Sequence, residues 1–238
     1  MKWPLVAALC LPMPALADQT AFVEANLLSI FYHEMGHAVI DLMEVPIYGQ
    51  EEDAADTMAV LLIDALYDED TAQEIAYDSA FGFINDPDGK EEVAYWDLHG
   101  TDEQRYYNHI CLFYGAAPDE REELAEELGL PEERAESCAD EYEQAISSWG
   151  QIFDEMEKPG SGESFKLALG SGDREALIRP LLEAEIGELN SDFSLPETVE
   201  IRIESCGEAN AFYDPDSISI TMCTEFVPHL EELFQKFE

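Results

Sequence analysis

His33 and His37 stand four residues apart inside a stripe of apolar residues that keeps a helical period. Phe22, Leu27, Leu28, Ile30 and Phe31 lead into them, and Ala38, Val39, Leu42 and Met43 continue the stripe. At that spacing two imidazoles leave the same face of a helix, one above the other, and can point at a single ion. Val45-Pro46 closes the helix, since proline disfavours helical backbone at the residue before it and has no amide to donate. Tyr48-Gly49 supplies a turn, and the pattern resumes from Gln50 through Ala54, Ala55, Met58, Ala59, Leu61 and Leu62. The chain is therefore written to fold back as two antiparallel helices, the first turn of the second beside the histidine pair.

That pairing gives the intervening acids distinct roles. Glu34 sits one step round from His33, near enough to hold an activated water and turned away from direct ligation, as in other His-Glu-x-x-His helices. A catalytic zinc takes three protein ligands and leaves a fourth position open. Glu52 is the expected third ligand, because Asp56 then falls four residues later on the same face. There Asp56 can take a hydrogen bond from the outer nitrogen of a liganding histidine and fix its tautomer. Glu51 and Asp53 are the alternatives to Glu52. A purely structural zinc site has no need of Glu34 and usually closes its fourth position with Cys or His.

The segment from His33 to Asp56 resembles the gluzincin (thermolysin-like) peptidases, down to the His37-Ala38-Val39 continuation. The gap between His37 and Glu52 is shorter here than in that group. The rest of the chain resembles a bacterial family of uncharacterised zinc metallopeptidases, through three further stretches. These are Gly49-Gln50-Glu51-Glu52-Asp53-Ala54-Ala55-Asp56, the run from Asn108 to Gly115, and the run from Cys206 to Pro215. The resemblance implies a zincin-like helical core, one catalytic zinc, and a peptide or protein substrate that it does not specify. The implied chemistry is carbonyl polarisation and water activation by zinc, with Glu34 as general base. Two other readings are a non-catalytic zinc-binding module and a zinc hydrolase of non-peptide amides.

The N-terminus reads as a removed secretory signal over residues 1–17. Lys2 is followed by an apolar run from Trp3 to Leu11, and Ala15-Leu16-Ala17 gives a small-x-small cleavage pattern. The run is too short for a stable membrane anchor. Residues 18–238 then form a single domain, a length that supports a substantial core. Cys111, Cys138, Cys206 and Cys223 remain, an even number, with no Cys-x-x-Cys spacing for a thiolate metal site. Of three possible pairings, Cys111–Cys138 and Cys206–Cys223 join neighbouring predicted elements. Disulfides point to the periplasm or the exterior.

Charge excludes some partners. The chain carries 54 acidic against 11 basic residues, for a net −43, and loss of Lys2 with the leader brings it to −44. Such a surface repels nucleic acid and anionic membrane. The acids are spread along the chain and read mainly as a solvated surface.

The remaining pattern is α+β, predominantly α. Helices are expected over 71–82, 102–114, 118–127, from Pro131 through Trp149, over 173–189, and from 225 to 237. Turn-forming residues occupy 85–89 and 158–162. Arg105 is expected to pair with one of the many acids, the alternative being a substrate carboxylate or backbone. His99, His109 and Tyr213 are further candidates for stabilising a transition state, each with an ordinary packing role as the plainer reading. The runs 198–204 and 217–223 alternate with period two and read as an antiparallel hairpin. In zinc peptidases an exposed sheet edge lies over the metal helix and holds the substrate backbone, and here that edge would come from the C-terminal strands.

Overall fold

The computed structural model describes residues 19–84, 95–157, 163–169 and 177–237. The expected leader, both turn clusters and the start of the 173–189 helix lie outside the described residues. The elements run α1 (Gln19–Leu42), α2 (Glu51–Leu66), α3 (Glu69–Ala80) and a 3-10 turn (Phe81–Phe83). They continue with α4 (Asp102–Ala116), α5 (Glu122–Glu127), α6 (Glu132–Ala135) and α7 (Cys138–Met156). The last stretch is β1 (Phe165–Leu167), α8 (Ile178–Asp192), β2 (Val199–Glu204), β3 (Ala211–Asp214), β4 (Ser219–Cys223) and α9 (Phe226–Phe237). The α+β class, mostly helix with a small C-terminal sheet, is the one the sequence pattern predicts.

α1 is buried on nearly every side, with Leu27, Phe31, Tyr32, Met35, Ala38 and Val39 fully enclosed. A helix buried on nearly every side belongs at the centre of its fold. α2, α3, α9 and the β3–β4 end of the sheet pack around it. Its exit is a tight C-terminal turn, with the Val45 amide donating to the Ile40 carbonyl at 2.9 Å and Glu44 in the left-handed region at φ 52°. α2 then starts with Glu51, Glu52 and Asp53 in its first turn, where acidic side chains complement the positive end of the helix dipole.

The close approach of α1 to α2 depends on Gly36. A Cβ there would lie 2.9 Å from Ala55 Cα and 3.1 Å from Ala55 Cβ. Glycine inside a helix costs about 1 kcal/mol relative to alanine, and here it lets the two backbones meet more closely than any larger residue allows. On the far side of α2, buried Arg121 ties the bundle together. It donates to Asp64 at 2.6 Å, to Glu69 at 2.8 and 2.9 Å and to the Phe113 carbonyl at 2.7 Å, while lying over the Phe113 ring.

The sheet corrects one expectation. Its order is β1-β2-β4-β3, and β2 pairs with β4 in parallel, Ile201 opposite Ile220. The two alternating runs are neighbours without being a hairpin. β3 occupies the antiparallel position beside β4, with Tyr213 opposite Ile220. The three-residue β1 adds in parallel on the other edge. The helix expected from Pro131 is divided into α6 and α7, and the short acidic helix starts at Glu122. Both disulfides have the local pairing, Cys111–Cys138 and Cys206–Cys223, with Cα–Cα separations of 5.1 and 5.5 Å. Among the described residues, no helix is long and apolar enough to cross a membrane.

Candidate metal centre

One face of α1, from Asn26 through Ile30, His33, Glu34 and His37 to Asp41, forms the floor of a cleft of about 1020 Å³. At a rise of 1.5 Å per residue that floor is about 22 Å long, with the histidines near its middle. α2 contributes Glu51, Glu52 and Asp56 to one wall, and Ala211 and Tyr213 of β3 contribute to another.

His33 Nε2, His37 Nε2 and Glu52 Oε2 form a triangle with all three edges at 3.2 Å. Ligand atoms held at 2.0–2.1 Å by a tetrahedral ion lie about 3.3 Å apart, so the triangle has the size of one face of a zinc site. Proton bookkeeping leads the same way. The outer nitrogen of His33 meets Asp56 Oδ1 at 2.7 Å, and that of His37 meets Glu51 Oε1 at 2.9 Å. When each ring holds a single proton, as a metal ligand must, that proton sits on Nδ1 and each Nε2 presents a lone pair. A cation at the centre of the triangle satisfies all three atoms, whereas protons on the facing Nε2 atoms would oppose one another. The donor set fits a divalent metal.

The ionisable groups reflect this crowding of acids around imidazoles. Without a metal, burial lowers the His33 imidazole, yet its bonds to Asp56 and Glu52 outweigh burial and lift it to about 9, so an incoming metal displaces the Nε2 proton. His37 behaves alike, burial being overcome by Glu52 and Glu51. Hydrogen bonds from His33, His37 and His99 hold the Glu52 carboxyl far below the usual carboxylate range. Burial pushes Asp56 up, but Arg105 and His33 hold it well below that range.

Glu34 differs from its neighbours. It is 7% exposed, and burial raises its carboxyl above the ordinary value against the pull of His33 and His37. The Tyr213 backbone close by also favours its charged form, the weakest of these influences. A carboxylate raised by burial and standing beside two histidines is suited to take and return a proton.

Several neighbours were open questions in the sequence. Arg105 is engaged by Asp56, with Nε donating to Oδ2 and the terminal nitrogen to Oδ1, both at 2.7 Å, and it lies over the Phe83 ring. It therefore steadies Asp56, which steadies His33. His109 is buried, its Nε2 at 3.1 Å from the Ala76 carbonyl and 3.2 Å from Ser79 Oγ, and burial lowers it to about 4. Its role is to tie α4 to α3. The Tyr213 hydroxyl donates to Asp41 at 2.8 Å, pinning β3 to α1. His99 is in the cleft, and its Nε2 is 2.9 Å from the same Glu52 oxygen that faces the other histidines. Sequence reasoning did not find Glu51 as the partner of His37. No signal short of the fold distinguishes it from the neighbouring acids.

Neither the curated proteins nor the solved structures yield a match to this sequence. A family model does match, over residues 15–153 and 175–238, a span that includes the histidine helix, the acids of α2 and the C-terminal sheet. By that match the chain belongs to the family described as "Putative metallopeptidase".

Proposed function

We propose that the protein is an exported zinc-dependent peptidase whose ion is held by His33, His37 and Glu52. Bound there, zinc would polarise a scissile carbonyl and make water acidic enough to deprotonate near neutral pH. Glu34 takes the proton from the attacking water and delivers it to the leaving amine. Asp56, braced by Arg105, keeps the His33 proton on Nδ1 so that Nε2 is free to bind.

β3 is the edge strand beside this site. The Cys223 amide donates to the Asn210 carbonyl, so in the antiparallel ladder Ala211 and Tyr213 turn their amides and carbonyls outward. The Ala211 amide is taken by Asn210 Oδ1 at 2.9 Å, so a peptide laid along that edge would bond chiefly to its carbonyls, regardless of side chain. Cleavage of extended peptide, with a leader over residues 1–17 removed and residues 18–238 acting as one domain, is the consistent reading.

The observation that carries the proposal is the 3.2 Å triangle with the buried Glu34 carboxyl beside it. Glu34→Gln keeps the shape and removes the base. It should retain the metal and lose hydrolysis of a mixed peptide library by at least about a hundredfold. Unchanged hydrolysis would exclude Glu34 as the base. A protein that binds zinc at this site but leaves every peptide intact while cleaving a non-peptide amide would move the substrate class.

A further inference from the structure

Three histidines surround Glu52, and they share one arrangement. His33 Nδ1 faces Asp56, His37 Nδ1 faces Glu51, and His99 Nδ1 faces Asp97 Oδ1 at 3.3 Å. All three turn Nε2 toward the same Glu52 Oε2, at 3.2, 3.2 and 2.9 Å. A carboxylate on the outer nitrogen with the inner nitrogen aimed at a common point is how a protein orients a histidine for a metal. The ligand atoms of His33, Glu52 and His99 lie within 4.8 Å of one another. The His33 and His99 rings are stacked, 6.2 Å between centroids.

The supports differ. His33, His37 and Glu52 project from α1 and α2 in the core, whereas His99 belongs to the segment before α4. Its side chain is 42% exposed, and Trp96 and Leu98 beside it are 87% and 73% exposed. Asp97, which orients it, is itself on that segment and its backbone bond is local, from the His99 amide at 3.0 Å. Three donors are thus fixed by helix packing and one by a surface loop.

We propose that His99 is a fourth, exchangeable protein ligand, occupying in the resting protein the position a catalytic zinc would otherwise leave to water. This rests on the metal site proposed above. Substrate entry then requires the segment carrying Trp96, Leu98 and His99 to draw back, and no covalent step is involved. The arrangement protects the ion against loss and solvent without giving up an openable site.

The test uses the full mature chain loaded with cobalt(II) in place of zinc, comparing wild type, His99→Ala and His33→Ala. Metal affinity is read by chelator competition, coordination by the visible cobalt absorption, and loop position by emission of Trp96 in a Trp149→Phe background. His99→Ala should bind cobalt about tenfold more weakly, as expected when one oriented group is lost. Its absorption should shift as solvent enters, and added imidazole should restore it. Addition of zinc, which does not itself quench indole, should change Trp96 emission in the wild type and leave it unchanged in His99→Ala. Wild-type affinity and spectrum in His99→Ala, with binding lost in His33→Ala, would overturn the fourth ligand and leave the three-ligand site standing. Retained affinity in both variants would overturn the site itself.

Discussion

Replacing Gly36 by alanine tests the geometry of the proposed metal site without touching any of its side chains. Two effects oppose one another. Alanine improves helix propensity by about 1 kcal/mol, and overpacking in a tightly filled space costs about 1–3 kcal/mol. Metal-free stability should therefore fall by no more than about 2 kcal/mol. The metal site is less tolerant. Ordinary van der Waals separation begins at 3.4 Å, and the new Cβ would lie 2.9 Å from Ala55 Cα. α2 must retreat by about 0.5 Å, when metal–ligand distances tolerate only about 0.2 Å. Glu52 is three residues before Ala55 and moves with it. Zinc affinity measured by chelator competition should drop about tenfold or more, while the melting temperature of the metal-free protein falls by no more than about 8 °C. The double variant Gly36→Ala/Ala55→Gly relieves the 3.1 Å approach to the Ala55 methyl but leaves the closer approach to the backbone, so it should recover only part of the affinity. Gly150→Ala calibrates the propensity gain, because its Cβ would meet nothing within 4 Å. That change should stabilise by about 0.5–1 kcal/mol. Wild-type zinc affinity in Gly36→Ala would refute the claim that helix proximity sets the triangle.

Two other perturbations separate geometry from charge and neutral from charged histidine. Arg105→Lys keeps the positive charge but loses the two-point grip on Asp56, so zinc affinity should fall about tenfold, nearly as far as in Arg105→Ala. A lysine variant with wild-type affinity would show that charge alone suffices. His109 stays neutral in the fold down to about pH 4, whereas the unfolded imidazole protonates near 6.5. Between those values the unfolded state binds more protons, so stability on this account declines as pH falls, by roughly 3 kcal/mol at most. Chemical denaturation from about pH 7 to about pH 4 should show a shallower decline in His109→Gln, and parallel curves would disprove the assignment.

The helical pair was readable because its signals are local. The period of the stripe around His33, the Val45-Pro46 stop and the acids opening α2 each act within one turn of chain. The orientation of β2 against β4 was not. Alternation identifies a strand and its buried face, as at Val199, Ile201 and Ile203, but carries no information on which strand lies beside it or in which direction. β3, with only four residues, took the antiparallel place that the sequence assigned to β2. β1 is three residues long and below the length at which alternation means anything. Within the site, the histidine spacing was visible, while the pairing of His37 with Glu51 and of Asp56 with Arg105 depends on how separate helices are rotated against each other.

Glu34 lies close to the Tyr213 backbone, on the outward edge of β3, which favours its charged form. On the function proposed above, a chain added to this edge would change the surroundings of that carboxyl. Docking at the rim and tuning of the proposed base would then be linked through one short strand.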